Sequence, residues 1–253
     1  GGHGAINLTS ALAESCDVYF YDLAHELGID AFHTFLSRFG FGQPTRIDLE
    51  NERSARLPSR DWKRREKKET WYPGETLIAG IGQGYNLTTP LQLAVATATL
   101  ANRGIRVRPR TVRAYQDPNN PAEESLPPVM LPPINLTQPE NWDIVIAGMI
   151  EVVHGKKGTA RAAGKDAQYI MAGKTGTAQM INIKQDERYV ESEIDERLRD
   201  HALFVAFAPV DKPRIALAII IENGGSGAGT ASPIARKVID YYFSLQEENH
   251  APQ

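Results

Sequence analysis

Seven consecutive apolar residues, Ile215 to Ile221, constrain this 253-residue chain more than any other feature. The run is far too short to span a bilayer and reads as a buried strand. Two more strand-like runs precede it, Tyr169 to Met180 and Leu203 to Ala208, and Pro233 to Phe243 reads as a terminal helix. The charged stretch Lys184 to His201 between the first two strands is too long for a tight hairpin. The expected fold is α+β: a helical cluster, then an antiparallel sheet flanked by a C-terminal helix.

Upstream, Thr9 to Glu14 reads as a short helix with Thr9 as its N-cap. Val18, Tyr19, Leu23 and Leu27 recur at helical spacing, and Gly28 sits where a C-cap belongs. A second amphipathic helix runs from about Ile29 to Phe39, with Phe32, Phe35, Leu36 and Phe39 on one face. Ser15-Cys16-Asp17 therefore lies at a junction between helices.

Arg46 to Tyr72 is polar and reads as an irregular excursion. Within it, Arg60 to Glu69 holds six basic and three acidic residues, read either as a solvated face or as a surface for a partner or an anionic glycan. Gly80 to Gly84 is a Gly-rich turn. It leads through Thr88-Thr89-Pro90, a cap with proline at the first helical position, into an Ala-rich helix to Asn102. Pro118 to Pro139 reads as a surface connection, and Asn141 to His154 as a helix. There is no internal repeat. Residues 1–245 read as one domain and 246–253 as a tail.

A net charge of −3, with 42% apolar and 23% charged residues, creates no global field for nucleic acid or an acidic membrane surface, so a specific site must carry the function. The single cysteine, Cys16, excludes an internal disulfide. No signal peptide is present. The start at Gly1 enters directly into patterned sequence and reads as a cut, with any targeting element before it.

Lys174-Thr175-Gly176-Thr177-Ala178-Gln179 is the sharpest local signal. A glycine weakens a strand unless another backbone must come close. Small hydroxyl residues beside it, and a lysine before it, suit an edge that takes an extended peptide by strand addition and grips a carboxylate. Alone, such a tetrapeptide also reads as a plain sheet edge. Ser15 and Asp17 could relay a proton, and are equally the usual helix-capping residues.

Together, the order, spacing and flanks of these segments resemble the penicillin-recognising serine transpeptidases, whose signature set is Ser-x-x-Lys, Ser-x-Asn and Lys-Thr-Gly. Ser15 to Ala24, Gly80 to Gln92, Lys174 to Gln179 and Glu222-Asn223-Gly224-Gly225 are similar to the class B high-molecular-weight enzymes. Arg46-Ile47-Asp48-Leu49 and Glu196 to Ala208 resemble their elongation-specific subclass. The likeness covers nearly the whole chain, with two departures. No Ser-x-x-Lys occurs; Ser59-Arg60-Asp61-Trp62-Lys63 has one residue too many. The middle motif ends in Asp17 rather than asparagine.

The resemblance implies a transpeptidase domain of the penicillin-binding, serine β-lactamase-like fold, truncated at its N-terminus, with the acylating serine and its lysine base upstream of Gly1. It implies a peptidoglycan D,D-transpeptidase with stem peptides as substrate and β-lactams as inhibitors. Ser15, Asp17 and Lys174 would be catalytic, and Thr175, Gly176 and Thr177 would bind substrate, the Thr177 N–H supplying half of an oxyanion hole. An anchor before Gly1 would hold the domain at the periplasmic face of the inner membrane, beside a lipid-II-polymerising glycosyltransferase and other elongation proteins. A carboxypeptidase, a β-lactamase, and a non-catalytic β-lactam sensor or wall-peptide scaffold are alternatives on the same fold.

No cofactor is required for such catalysis. Cys16 reads as inert packing or, with His3, as part of a structural zinc site whose other ligands lie upstream. His25, His33 and His154 receive no role, and His201 reads as structural.

Overall fold

Asn7, not Thr9, caps α1 (Leu8–Ala13): its side-chain oxygen accepts the Ser10 N–H at 2.9 Å. Both residues are good caps, and the helix begins two residues earlier than the pattern suggested because Asn7 takes the extended conformation that a cap requires. The computed structural model describes residues 2–119, 122–180 and 194–248. Most of the charged stretch Lys184 to His201, and residues 249–253 of the expected tail, lie outside them. α2 (Asp17–Ser37) breaks at Gly28, whose φ of 70° and ψ of 160° are not helical, so the two helices read on either side of that glycine are present. Val18 and Leu27 nevertheless stay exposed, while Ala24 enters the core. A Cβ on Gly80 would overlap Ala24, so a small residue on each side sets the approach.

The polar excursion from Arg46 contains α3 (Arg60–Lys67), capped by Ser59. Its solvated reading fails at Lys63, which is fully buried. That ammonium bridges Glu69 at 3.4 Å and Glu75, and lies over the Tyr72 ring at 4.4 Å. Burial alone would lower its pKa, but the hydrogen bonds to Glu75 and Glu69 raise it. α4 (Pro73–Gly80) was not foreseen, although it starts with proline at the first helical position, the same signal read correctly at Pro90. α5 (Pro90–Ala101) opens with reciprocal Thr89 and Gln92 bonds of 3.1 and 2.9 Å.

β1 (Arg106–Val107), β2 (Ala114–Gln116), β3 (Glu123–Ser125) and β4 (Met130–Leu131) form two small antiparallel pairs, β1 with β4 and β2 with β3. The proline-rich connection runs through them at the surface. α6 (Asn141–His154) has the bounds read from its pattern, and α7 (Arg161–Gly164) is a single turn.

β5 (Ala172–Ala178), β6 (His201–Ala208) and β7 (Ile215–Ile221) make an antiparallel sheet in that order. Successive side chains of a strand point to opposite faces. Ala202, Phe204 and Ala206 of β6 join Val152 and Val153 of α6 and Ala235 and Ile239 of α8 (Ser232–Glu248). Phe207 points the other way, into Ala101 of α5 and Ile146 and Met149 of α6. Both faces are covered, which is why β7 is apolar without interruption.

Candidate active site

Ser15 stands between α1 and α2 with φ at 52°, a left-handed conformation uncommon outside glycine. Two bonds close the reversal, Ser15 N–H to Leu12 O at 3.3 Å and Cys16 N–H to Ala11 O at 2.9 Å. The reversal brings the hydroxyl to β5, where Lys174 Nζ donates to Ser15 Oγ at 2.9 Å and to Thr175 O at 2.9 Å. The two motifs, far apart in sequence, thus share one hydrogen bond. Burial pulls the Lys174 pKa down to about 8, opposed in part by the charge of Asp17. Asp17 is the exposed first residue of α2, a favourable end for a carboxylate.

Thr159, which no sequence pattern marked, ties the junction together. Its N–H donates to Ala13 O at 3.2 Å, and its hydroxyl lies 2.9 Å from that of Thr175. Glu14 and Lys157 bridge the same junction at 3.3 Å.

β5 is the sheet's edge strand. Thr175 O takes Lys174 Nζ, and Thr177 O takes Gln83 Nε2 at 2.7 Å. In an antiparallel ladder a residue's N–H and C=O share one side and alternate along the strand. The N–H and C=O of Thr177 therefore face the open edge, where an added strand would pair. Behind the strand, a Cβ on Gly227 would overlap both Gly176 O and Leu203 O. The close backbone approach is therefore permitted by Gly227, which opens the π-helical turn Gly227–Ala231 after β7, and not by Gly176, where a Cβ would meet only the Leu203 Cβ at 3.3 Å.

His201 is structural in its bonding: its Nδ1 accepts the Asn223 N–H at 2.9 Å, and the Asn223 amide holds Arg197 O and Arg199 O at 3.0 and 2.9 Å. His154 accepts the Met171 N–H at 3.1 Å. His3 and Cys16 border one groove with Asp22 and His25. Among the described residues, however, no group of three or more His, Cys, Asp or Glu side chains lies close enough to hold a metal.

Residues 1–240 match the family model described as penicillin binding protein transpeptidase domain. The peptidoglycan D,D-transpeptidase MrdA of Haemophilus influenzae is 42% identical over 244 residues, covering 96% of this chain and 37% of the relative. Among solved structures, Pseudomonas aeruginosa PBP2 in complex with WCK 5153 has a TM-score of 0.81 at 48% identity, covering 94% of this chain and 47% of that one. Helicobacter pylori PBP2 in complex with MreC has a TM-score of 0.79 at 32% identity, covering 96% and 41%. The chain spans less than half the length of each.

Proposed function

Because the chain belongs to the penicillin-binding protein transpeptidase domain family, we propose that it is the larger part of a D,D-transpeptidase domain that cross-links peptidoglycan stem peptides during cell-wall elongation. The 2.9 Å bond from Lys174 Nζ to Ser15 Oγ carries this reading, because it joins the second and third family motifs beside an open strand edge. Residues 1–245 act as one unit, with 246–253 as a tail. Ser-x-x-Lys is absent from the sequence, and the nucleophile is assigned to a segment preceding residue 1.

That serine attacks the carbonyl between two terminal D-alanines, and the tetrahedral oxyanion forms at the open edge of β5, where the Thr177 N–H donates to it. Ser15 passes the serine's proton to the departing amine, which leaves as D-alanine and an acyl-enzyme remains. Lys174, with a pKa of about 8, is largely an ammonium at neutral pH and provides positive potential for the substrate carboxylate. The exposed Thr177 hydroxyl receives that carboxylate first, because the Thr175 hydroxyl already shares a bond with Thr159. Gly176 contributes its backbone to the strand that receives the substrate; a Cβ there would meet only the Leu203 Cβ, at 3.3 Å. Asp17 supports the Lys174 ammonium and orients the lysine of the missing motif. An amine from a neighbouring stem peptide then attacks the ester, forming the cross-link and freeing the serine.

No cofactor enters these steps. His3 and Cys16, which border one groove, are proposed as two ligands of a structural zinc completed upstream; metal analysis of the full-length protein is expected to find zinc, and Cys16→Ser is expected to lose it. By analogy with the relatives, β-lactams are inhibitors. A lipid-II-polymerising glycosyltransferase and elongation proteins such as MreC, the partner in the H. pylori complex, are partners. The site of action is the periplasmic face of the inner membrane, and among the described residues no helix is long and apolar enough to cross it.

The test is mass spectrometry of the full-length protein after exposure to labelled penicillin. The expected result is one adduct on a serine preceding residue 1, weakened by Ser15→Ala or Lys174→Ala. A folded protein without an adduct would move the assignment to a non-catalytic wall-peptide scaffold.

A further inference from the structure

Gln83 reaches β5 from the Gly80–Gly84 turn, and its amide occupies the Thr177 carbonyl at 2.7 Å. That carbonyl lies on the open edge and is the acceptor a peptide must use to add as a strand. A main-chain acceptor on such an edge is therefore already taken by the protein's own side chain.

The turn that presents Gln83 is fixed. Gly82 and Gly84 hold φ values of 79° and 70°. The Gln83 N–H donates to Ile78 O at 3.1 Å, and its carbonyl accepts the Asn86 N–H at 3.4 Å. The Tyr85 ring lies 5.1 Å from Trp62 and 6.4 Å from Trp71, and its carbonyl takes Arg56 Nε at 2.6 Å. With the backbone held, the freedom left to Gln83 is rotation of its side chain, a motion fast enough to permit exchange with a ligand.

We propose that Gln83 is a specificity-determining residue, a displaceable plug on the Thr177 carbonyl that only strand-adding ligands must remove. The proposal rests on the transpeptidase reading above. A ligand bearing a backbone-like N–H exchanges its own bond for that of Gln83 and gives up part of its affinity in doing so. A ligand too short to reach Thr177 O leaves Gln83 in place and loses nothing.

The experiment uses the full-length protein and two probes: benzylpenicillin, whose 6-acylamino arm carries an amide N–H, and the penam nucleus lacking that arm. Stopped-flow acylation separates the dissociation constant of the first complex from the acylation rate constant. With Gln83→Ala, and with Gln83→Met, which keeps the length without the donor, benzylpenicillin should bind roughly three- to tenfold more tightly before acylation. The armless probe and both acylation rate constants should stay within about twofold, below the effect of one hydrogen bond. Equal shifts for the two probes, or weaker benzylpenicillin binding, would overturn the plug. Both variants should melt with the wild type; if instead they melt early and both probes slow together, Gln83 is merely structural and the plug fails. A wild-type protein that accepts neither probe overturns the transpeptidase reading and the plug together, whereas a labelled wild type with no arm-dependent split overturns the plug alone.

Discussion

Asp17 is exposed, yet its charge props up the ammonium of Lys174 against burial. In Asp17→Asn burial acts unopposed, so the Lys174 pKa falls below about 8 and the ammonium is lost earlier as pH rises. The alkaline limb of the full-length protein's penicillin-acylation profile should move to lower pH, and a limb that stays or moves up would separate Asp17 from Lys174. Thr159→Val keeps the shape and deletes the hydroxyl shared with Thr175. It should cost about 1 kcal/mol, seen as a melting temperature roughly 2–4 °C lower; an unchanged melt would show that the contact contributes nothing. Lys174 to Thr177 and Ser15 to Asp17 were legible because their order and spacing are those of known motifs. Thr159 was not, because its role depends on two residues from other elements. Nor was Lys63, whose burial requires carboxylates from outside its own basic run.

The elements were legible where one periodic signal sufficed, as in α5, α6 and β7. They were misread where two residues could serve equally, as with Asn7 and Thr9, or where a short helix hid its apolar face, as in α4. The contact that seats β5 is of another kind, backbone against backbone, and leaves no apolar pattern. Gly227→Ala should force its new methyl into Gly176 O and Leu203 O, neither of which can swing aside. The expected cost is about 1–3 kcal/mol, with penicillin acylation of the full-length protein slowed at least roughly tenfold as the proposed oxyanion donor, the Thr177 N–H, shifts by a fraction of an ångström. Gly229→Ala is the matched control, since its methyl would meet nothing nearer than 3.9 Å. Equal behaviour of the two variants would mean that the loop does not position the strand.

For the whole molecule, the α+β class and the antiparallel sheet followed from strands clustered at the C-terminal end, but the balance of buried charges did not, since it depends on where distant segments meet. Burial holds the His154 pKa below 6.5, and Lys174 falls from 10.5 to about 8. Tyr169, half-buried and bonded to Asp240 at 2.7 Å, is raised above 10.0. Stability rises with pH wherever the unfolded chain binds more protons than the folded one. For His154 that window lies below the unfolded value of 6.5, and for Lys174 between about 8 and 10.5. Tyr169 acts in the opposite sense, because above its unfolded value of 10.0 the folded state alone keeps the proton. Lys63, also raised, loses its contribution above 10.5. The melting temperature should therefore climb toward pH 6.5, climb again above pH 8, and turn over near pH 10. The second climb is bounded at roughly 3 kcal/mol by the Lys174 shift. Lys174→Met should abolish the second climb and spare the first, while His154→Gln should do the reverse. A wild-type melting temperature that falls steadily from pH 8 to 10 would mean that Lys174 is not a buried ammonium in the folded protein.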